Sequence, residues 1–212
     1  MLITISGLDG AGKSTLIGLL KSGLERRDMR VSVSHMYRDV GAFAFGKVML
    51  EKFTRADDAG GLKRGFGRGA VNIFARSLVW NQSLRMLVYP LDLLIFVFYR
   101  LYVEGVKRHV LIMDRYFYDT LVDLSAGRRS RAARFLSRLT PTPCVPILLD
   151  INPGEAFARK GEHTIPSLER RREAYKNVFP NGGRGLVLEA GEDIADNLLA
   201  VESAVLKRMD GR

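Results

Sequence analysis

Apolar residues fall in short blocks separated by longer stretches in which they recur every three or four positions. The blocks lie at residues 2–5, 31–35, 110–113, 144–151 and 186–188, each the length of a strand. Most are nearly all apolar, as strands covered on both faces of a parallel sheet are; 31–35 (Val-Ser-Val-Ser-His) alternates instead. Pro146 suits a strand start or edge better than mid-ladder, because it has no N–H to donate. Helical spacing covers 14–27, 70–88, 92–107, 116–126, 130–138, 154–160, 166–178 and 193–208. In the last, Asp193 stands at the cap position, and Ile194, Leu198, Val201, Val205 and Leu206 form one face. Strands alternating with helices predict an α/β fold: a parallel sheet of about five strands with helices on both faces. Residues 54–69 are glycine-rich and charged and read as a loop. No repeat or boundary breaks the pattern, so 1–212 reads as a single domain.

The most apolar stretch, 84–103, carries Arg85, Pro90, Asp92 and Arg100. Its uninterrupted apolar length falls short of the ~20 residues a bilayer requires. Charges at such depths would each cost about 2.5–3.5 kcal/mol. Two core helices meeting at Pro90 are predicted, with no transmembrane span. Surface attachment to a membrane stays open. The single cysteine, Cys144, rules out a disulfide framework and reads as a buried thiol. With no signal-like segment before the first strand, a cytoplasmic location is expected. The net charge of +10 is spread over Lys63, Arg64, Arg128, Arg129, Arg131, Arg134 and residues 170–172, without one long block. That spread suits anionic small-molecule ligands better than a nucleic-acid surface.

Candidate chemistry concentrates in residues 7–15, Gly-Leu-Asp-Gly-Ala-Gly-Lys-Ser-Thr. Gly7, Gly12, Lys13 and Ser14 fit the phosphate-loop pattern G-x-x-x-x-G-K-[ST], between a strand and a helix. Glycines let backbone N–H groups close on phosphate oxygens at a helix N-terminus. The motif predicts a nucleoside triphosphate site with Mg²⁺: Lys13 on the β and γ phosphates, the Ser14 hydroxyl on the metal. Residues 110–113 form an apolar strand ending in Asp114, and a carboxylate there would hold Mg²⁺ beside the loop.

Asp114-Arg115-Tyr116 after that strand resembles the Asp-Arg-Tyr signature of the thymidylate kinase family of P-loop kinases. The loop Ser6-Gly7-Leu8-Asp9-Gly10-Ala11-Gly12-Lys13-Ser14 resembles that family's Glu-Gly-x-Asp-Gly-x-Gly-Lys-[Ser/Thr]. Tyr37-Arg38-Asp39 stands where the family has Arg-Glu-Pro, and residues 157–162 where its mobile lid begins. Residues 167–175 resemble the helix after the lid, so the resemblance spans the chain. It implies a P-loop NTPase fold, a small lid near 159–166, a homodimer, and transfer of the ATP γ-phosphoryl to dTMP or a related nucleoside monophosphate. It also implies roles. Gly7, Gly10, Ala11, Gly12, Lys13, Ser14 and Thr15 would hold ATP phosphates, with Ser14 and Asp114 on Mg²⁺. Asp9 would face the acceptor's sugar hydroxyl, Arg38 the acceptor phosphate, and Arg115 both phosphates, beside Tyr116. Arg159 or Lys160 would close over the donor. Lys13, Arg115, Asp9 and Arg159 form the implied catalytic set.

One departure concerns the acceptor. Leu93 stands where the family has a base-contacting arginine, leaving Arg76 or Arg100 as substitutes. The alternatives are a kinase of the same superfamily acting on a sugar or lipid-linked phosphate, or a non-catalytic nucleotide-binding protein. No Asn-Lys-x-Asp base-recognition motif is present, which argues against a signalling GTPase.

Overall fold

A computed structural model describes residues 1–40, 82–125, 131–161, 163–179, 185–191 and 193–210. In chain order the elements are β1 (Leu2–Gly7), α1 (Lys13–Glu25), β2 (Val31–His35), α2 (Met36–Asp39) and α3 (Gln82–Leu101). A π-helical turn, Tyr102–Val106, follows α3 directly. Then come β3 (Val110–Asp114), α4 (Phe117–Ser125), α5 (Arg131–Leu139), β4 (Val145–Asp150), α6 (Pro153–Lys160) and α7 (Ile165–Val178). β5 (Leu186–Glu189) and α8 (Ile194–Asp210) complete the order. The chain divides into two compact units, one of Met1–Met36 with Arg100–Arg212, the other of Tyr37–Tyr99.

The first unit holds the expected sheet. Its five strands are all parallel, in the order β2-β3-β1-β4-β5. The connection from β1 through α1 to β2 and that from β3 through α4 and α5 to β4 run in opposite directions. Right-handed crossovers therefore put their helices on opposite faces. The packing agrees: α8 lies with α1, whereas α7 packs on α4 and α6. Leu2, Ile3, Ile5, Leu111, Ile112, Met113 and Ile147 are completely buried between these layers. Pro146 is the second residue of β4, opposite Thr4, and β5 pairing begins only at Ile147, so a strand start accommodates it. Cys144 is only partly buried, in place of the expected buried thiol, because it lies just before β4.

Register fixes the site. Ile5 of β1 stands level with Asp114 of β3 and Ile147 of β4, and Gly7 with Leu149. The connections leaving β1 and β4 diverge, which opens a crevice beyond the carboxyl ends of these strands, where α/β sheets place ligands.

The second unit corrects one expectation. The helix α3 runs unbroken through Pro90 instead of forming two helices there. Pro90 is exposed, so water can take the carbonyl that the missing N–H would have bonded. Nor is α3 wholly a core helix. Tyr89 and Phe96 are buried, whereas Leu91 (50%), Leu94 (54%) and Phe98 (64%) face solvent. The expected helical stretch 70–81 and loop 54–69 lie outside the described residues. Among the described residues, no helix is long and apolar enough to cross a membrane.

Candidate functional site

Where β1 ends, three glycines take conformations that other residues rarely adopt. Gly7, Gly10 and Gly12 have φ of 144°, 91° and 87°. Gly7 also lies so close to β4 that a Cβ would stand 2.4 Å from the Leu149 carbonyl oxygen. At Gly10 a Cβ would meet the Ala156 carbonyl at 3.1 Å. The loop is thus wedged against β4 and the start of α6. Gly12 caps α1 with no side-chain hydrogen bond, and no acidic residue occupies the first turn. The N–H groups of that turn therefore keep their positive end for another partner. Ser14 and Thr15 are exposed on it, while Ala11 is buried beneath.

Lys13 points back into this loop. Its ammonium, 8% exposed, donates to the carbonyls of Gly7 at 3.0 Å and Leu8 at 2.8 Å, with Asp9 Oδ1 at 3.9 Å. Burial and the nearby Arg115 guanidinium hold its pKa below the usual lysine value, only partly offset by Asp119, Asp9 and Asp114. Arg115 follows β3 in the left-handed region, φ 66°. Such a conformation costs about 1–3 kcal/mol in a residue with a side chain. It is held by the Arg115 N–H bond to the Ile5 carbonyl at 3.0 Å, and it brings the guanidinium onto Asp9 Oδ1. Burial opposes that charge, but Asp119 and Asp9 more than compensate and raise its pKa. For Asp9 the balance runs the other way. Burial pushes its pKa up, yet Arg115 and Lys13 together hold it below the ordinary carboxylate value.

Two residues of the 159–166 stretch reach the same loop. Arg159 donates to the Gly10 carbonyl at 3.3 Å and lies 3.7 Å from Glu155, while His163 Nε2 is 3.8 Å from Asp9 Oδ2. The structure thus gathers Asp9, Lys13, Arg115 and Arg159 around Gly7–Gly12. Asp114 ends β3 alongside, and its Oδ1 is buried with no hydrogen-bond partner among the described residues.

Other expected residues are placed differently. Tyr116 is fully buried, its hydroxyl bonded to the Pro141 carbonyl at 2.6 Å, so it presents nothing to a ligand. Arg100, one of the possible base readers, gives its Nε–H to Glu104 at 2.9 Å. The Arg38 side chain and all of Arg76 lie outside the described residues.

Sequence reasoning missed four contributors: Asp119, Tyr175, His163 and Arg172. Buried Tyr175 gives its hydroxyl to Asp119 at 2.7 Å, and its oxygen lies 3.4 Å from the Gly7 carbonyl. Arg172 grips Asp150 at the end of β4 through two bonds of 2.6 and 2.7 Å. It borders a shallow cavity of about 440 Å³ with Asn152, Glu169, Glu173 and Lys176. Only Asp119 left a local signal. It is the third residue of α4, and its carboxylate reaches back to the Tyr116 N–H, one half of a capping box.

Neither a protein-family model nor a curated protein matches the chain. Among the described residues no group of three or more histidine, cysteine, aspartate or glutamate side chains could hold a metal ion unaided.

Proposed function

We propose that the chain is an ATP-dependent phosphotransferase of the thymidylate kinase-like kind. The observation that carries the reading is the convergence of Lys13 and Arg115 on the glycine loop, beside the uncapped first turn of α1. A strand-to-helix turn with bare amides and two clustered cations suits the triphosphate of a nucleotide. Lys13 exchanges its two carbonyl partners for phosphate oxygens. Arg115 exchanges Asp9 for the phosphoryl group in transit, where its planar fork fits spreading charge. Arg159 closes from the lid side. Catalysis is then positioning and charge neutralisation, without a covalent step on the protein.

Mg²⁺ fits this donor set. It keeps several waters and takes only one or two protein ligands beside phosphate oxygens. The orphaned Asp114 Oδ1 and the exposed Ser14 hydroxyl would hold it, and bound there it neutralises phosphate charge during transfer.

The leading acceptor is dTMP or a related nucleoside monophosphate, with Arg38 on its phosphate. Leu93 in place of a base-reading arginine, and Arg100 engaged by Glu104, favour loose base selection. Lacking a bidentate contact removes about 1–3 kcal/mol of discrimination. The same two features sustain a second reading, a sugar or lipid-linked phosphate acceptor. Steady-state transfer from labelled ATP to dTMP, dUMP, dCMP, dGMP and phosphorylated sugars tests both. Turnover with weak preference among pyrimidine monophosphates supports the first, and turnover on sugar phosphates alone supports the second. ATP binding without any transfer would make the chain a non-catalytic nucleotide-binding protein.

A second copy of the chain is the proposed partner. Leu91, Leu94, Val97 and Phe98 form an exposed apolar stripe along α3, and such patches mark interfaces. The proposed setting is the cytoplasm.

A further inference from the structure

Behind the glycine loop lies a buried charge that the proposed transfer does not touch. Asp119 is fully buried, and its carboxylate accepts hydrogen bonds from three separated parts of the chain. Ser6 Oγ donates from β1 at 2.7 Å, the Tyr116 N–H at 2.9 Å, and the Tyr175 hydroxyl from α7 at 2.7 Å. None of these donors carries a charge. A helix cap would need only the Tyr116 bond, and an uncharged side chain would serve it. Arg115 and Lys13 lie near enough to offset the cost of burying a carboxylate there, which ties Asp119 to those two cations.

The contacts show which role. Arg115 sits at φ 66° between two fastened amides: its own, bonded to Ile5, and that of Tyr116, bonded to Asp119. Release of the second would free the chain to relax from the left-handed turn that aims the guanidinium at the loop. On the other side, Ser6 of β1 and Tyr175 of α7 donate to the same carboxylate and hold it in place. We infer that Asp119 is a positioning residue, which fixes the turn at Arg115 and ties it to β1 and α7 through Ser6 and Tyr175. The inference rests on the proposed phosphotransferase reading. The charge of Asp119 acts in the same sense: burial disfavours both cations, and Asp119 counters it at each.

Asp119→Ala tests this, because it removes the acceptor of the Tyr116 N–H. Expected is a kcat about tenfold or more lower, with KM for ATP changed by less than about threefold. Combined with Arg115→Met, the loss should be no greater than for Arg115→Met alone, because both changes remove one function. Multiplying losses, or a rise in KM for ATP without loss of kcat, would overturn the inference. A second readout needs no turnover. In ¹⁵N spectra the Arg115 guanidinium N–H held by Asp9 should be protected and resolved in the wild type and lose both properties in Asp119→Ala. An unchanged signal would overturn the inference even if no acceptor is ever phosphorylated, whereas absent transfer with a lost signal would sink only the reaction. Should Asp119→Ala fail to fold, Tyr175→Phe, which removes one of the donors holding the carboxylate, replaces it, with kcat expected to fall about threefold or more at unchanged KM for ATP. Full activity in that variant would count against the inference.

Discussion

Lys13, Asp9 and Arg115 illustrate how three charges share a space too small for any of them alone. Each is partly or largely withdrawn from water, and each depends on another for compensation. In the proposed transfer Arg115 meets charge that grows along the reaction, so Arg115→Met should lower kcat on the order of a hundredfold with little change in KM for ATP. Initial-rate kinetics over a range of ATP concentrations check this, and a change in KM alone would remove the assigned role. Asp9 makes a prediction about stability. Its folded pKa lies below the ordinary 3.8, so its contribution is present above that value and lost as pH falls through the folded one. The melting temperature of wild type should exceed that of Asp9→Asn at neutral pH, with the gap closing below about pH 4. A gap independent of pH would show that the Asp9 charge is not what matters. These three residues were legible because the loop pattern and Asp-Arg-Tyr fix them at set distances along the chain. Asp119 and Tyr175, 56 residues apart, meet only through folding. No local pattern announces such a pair.

Elements were easier to read than their joints. All five strands were visible, β1, β3 and β4 as the apolar runs of buried parallel strands, the edge strands β2 and β5 as an alternating and a short apolar segment. The helix α3 was misread at Pro90, since a proline on an exposed face breaks one bond without ending a helix. Its apolar residues pointed to a core helix, while the structure leaves one stripe in water. The glycine loop joins the element scale to the site. Gly7→Ala would push a methyl into the Leu149 carbonyl at a φ that alanine resists. A cost of about 1–3 kcal/mol should lower the melting temperature by roughly 2–10 °C, measurable by calorimetry. An unshifted transition would mean that β1 and β4 part easily at this point. On α3, Phe98→Glu puts a charge in the middle of the exposed stripe. Sedimentation should show a dimer in the wild type and a monomer in this variant. Wild type sedimenting as a monomer would remove the proposed partner.

At the scale of the whole molecule, a parallel sheet whose connections diverge between β1 and β4 places one loop at its ligand-accepting edge. An excess of ten positive charges makes the protein attractive to anions from a distance. Neither property selects a substrate, which is why fold was legible in the chain long before function. On the proposed reading, selection falls to the contacts that Gly7, Gly12, Lys13 and Arg115 make at short range. The most direct test of the central claim is titration calorimetry of Mg²⁺-ATP against wild type and Lys13→Ala, with circular dichroism to confirm that both are folded. Expected is saturable binding by the wild type and affinity weakened by about tenfold or more in the variant, corresponding to the loss of one buried cation–phosphate contact. Equal affinity in two folded proteins, or no binding by either, would contradict the assignment of this loop to a nucleotide's phosphates.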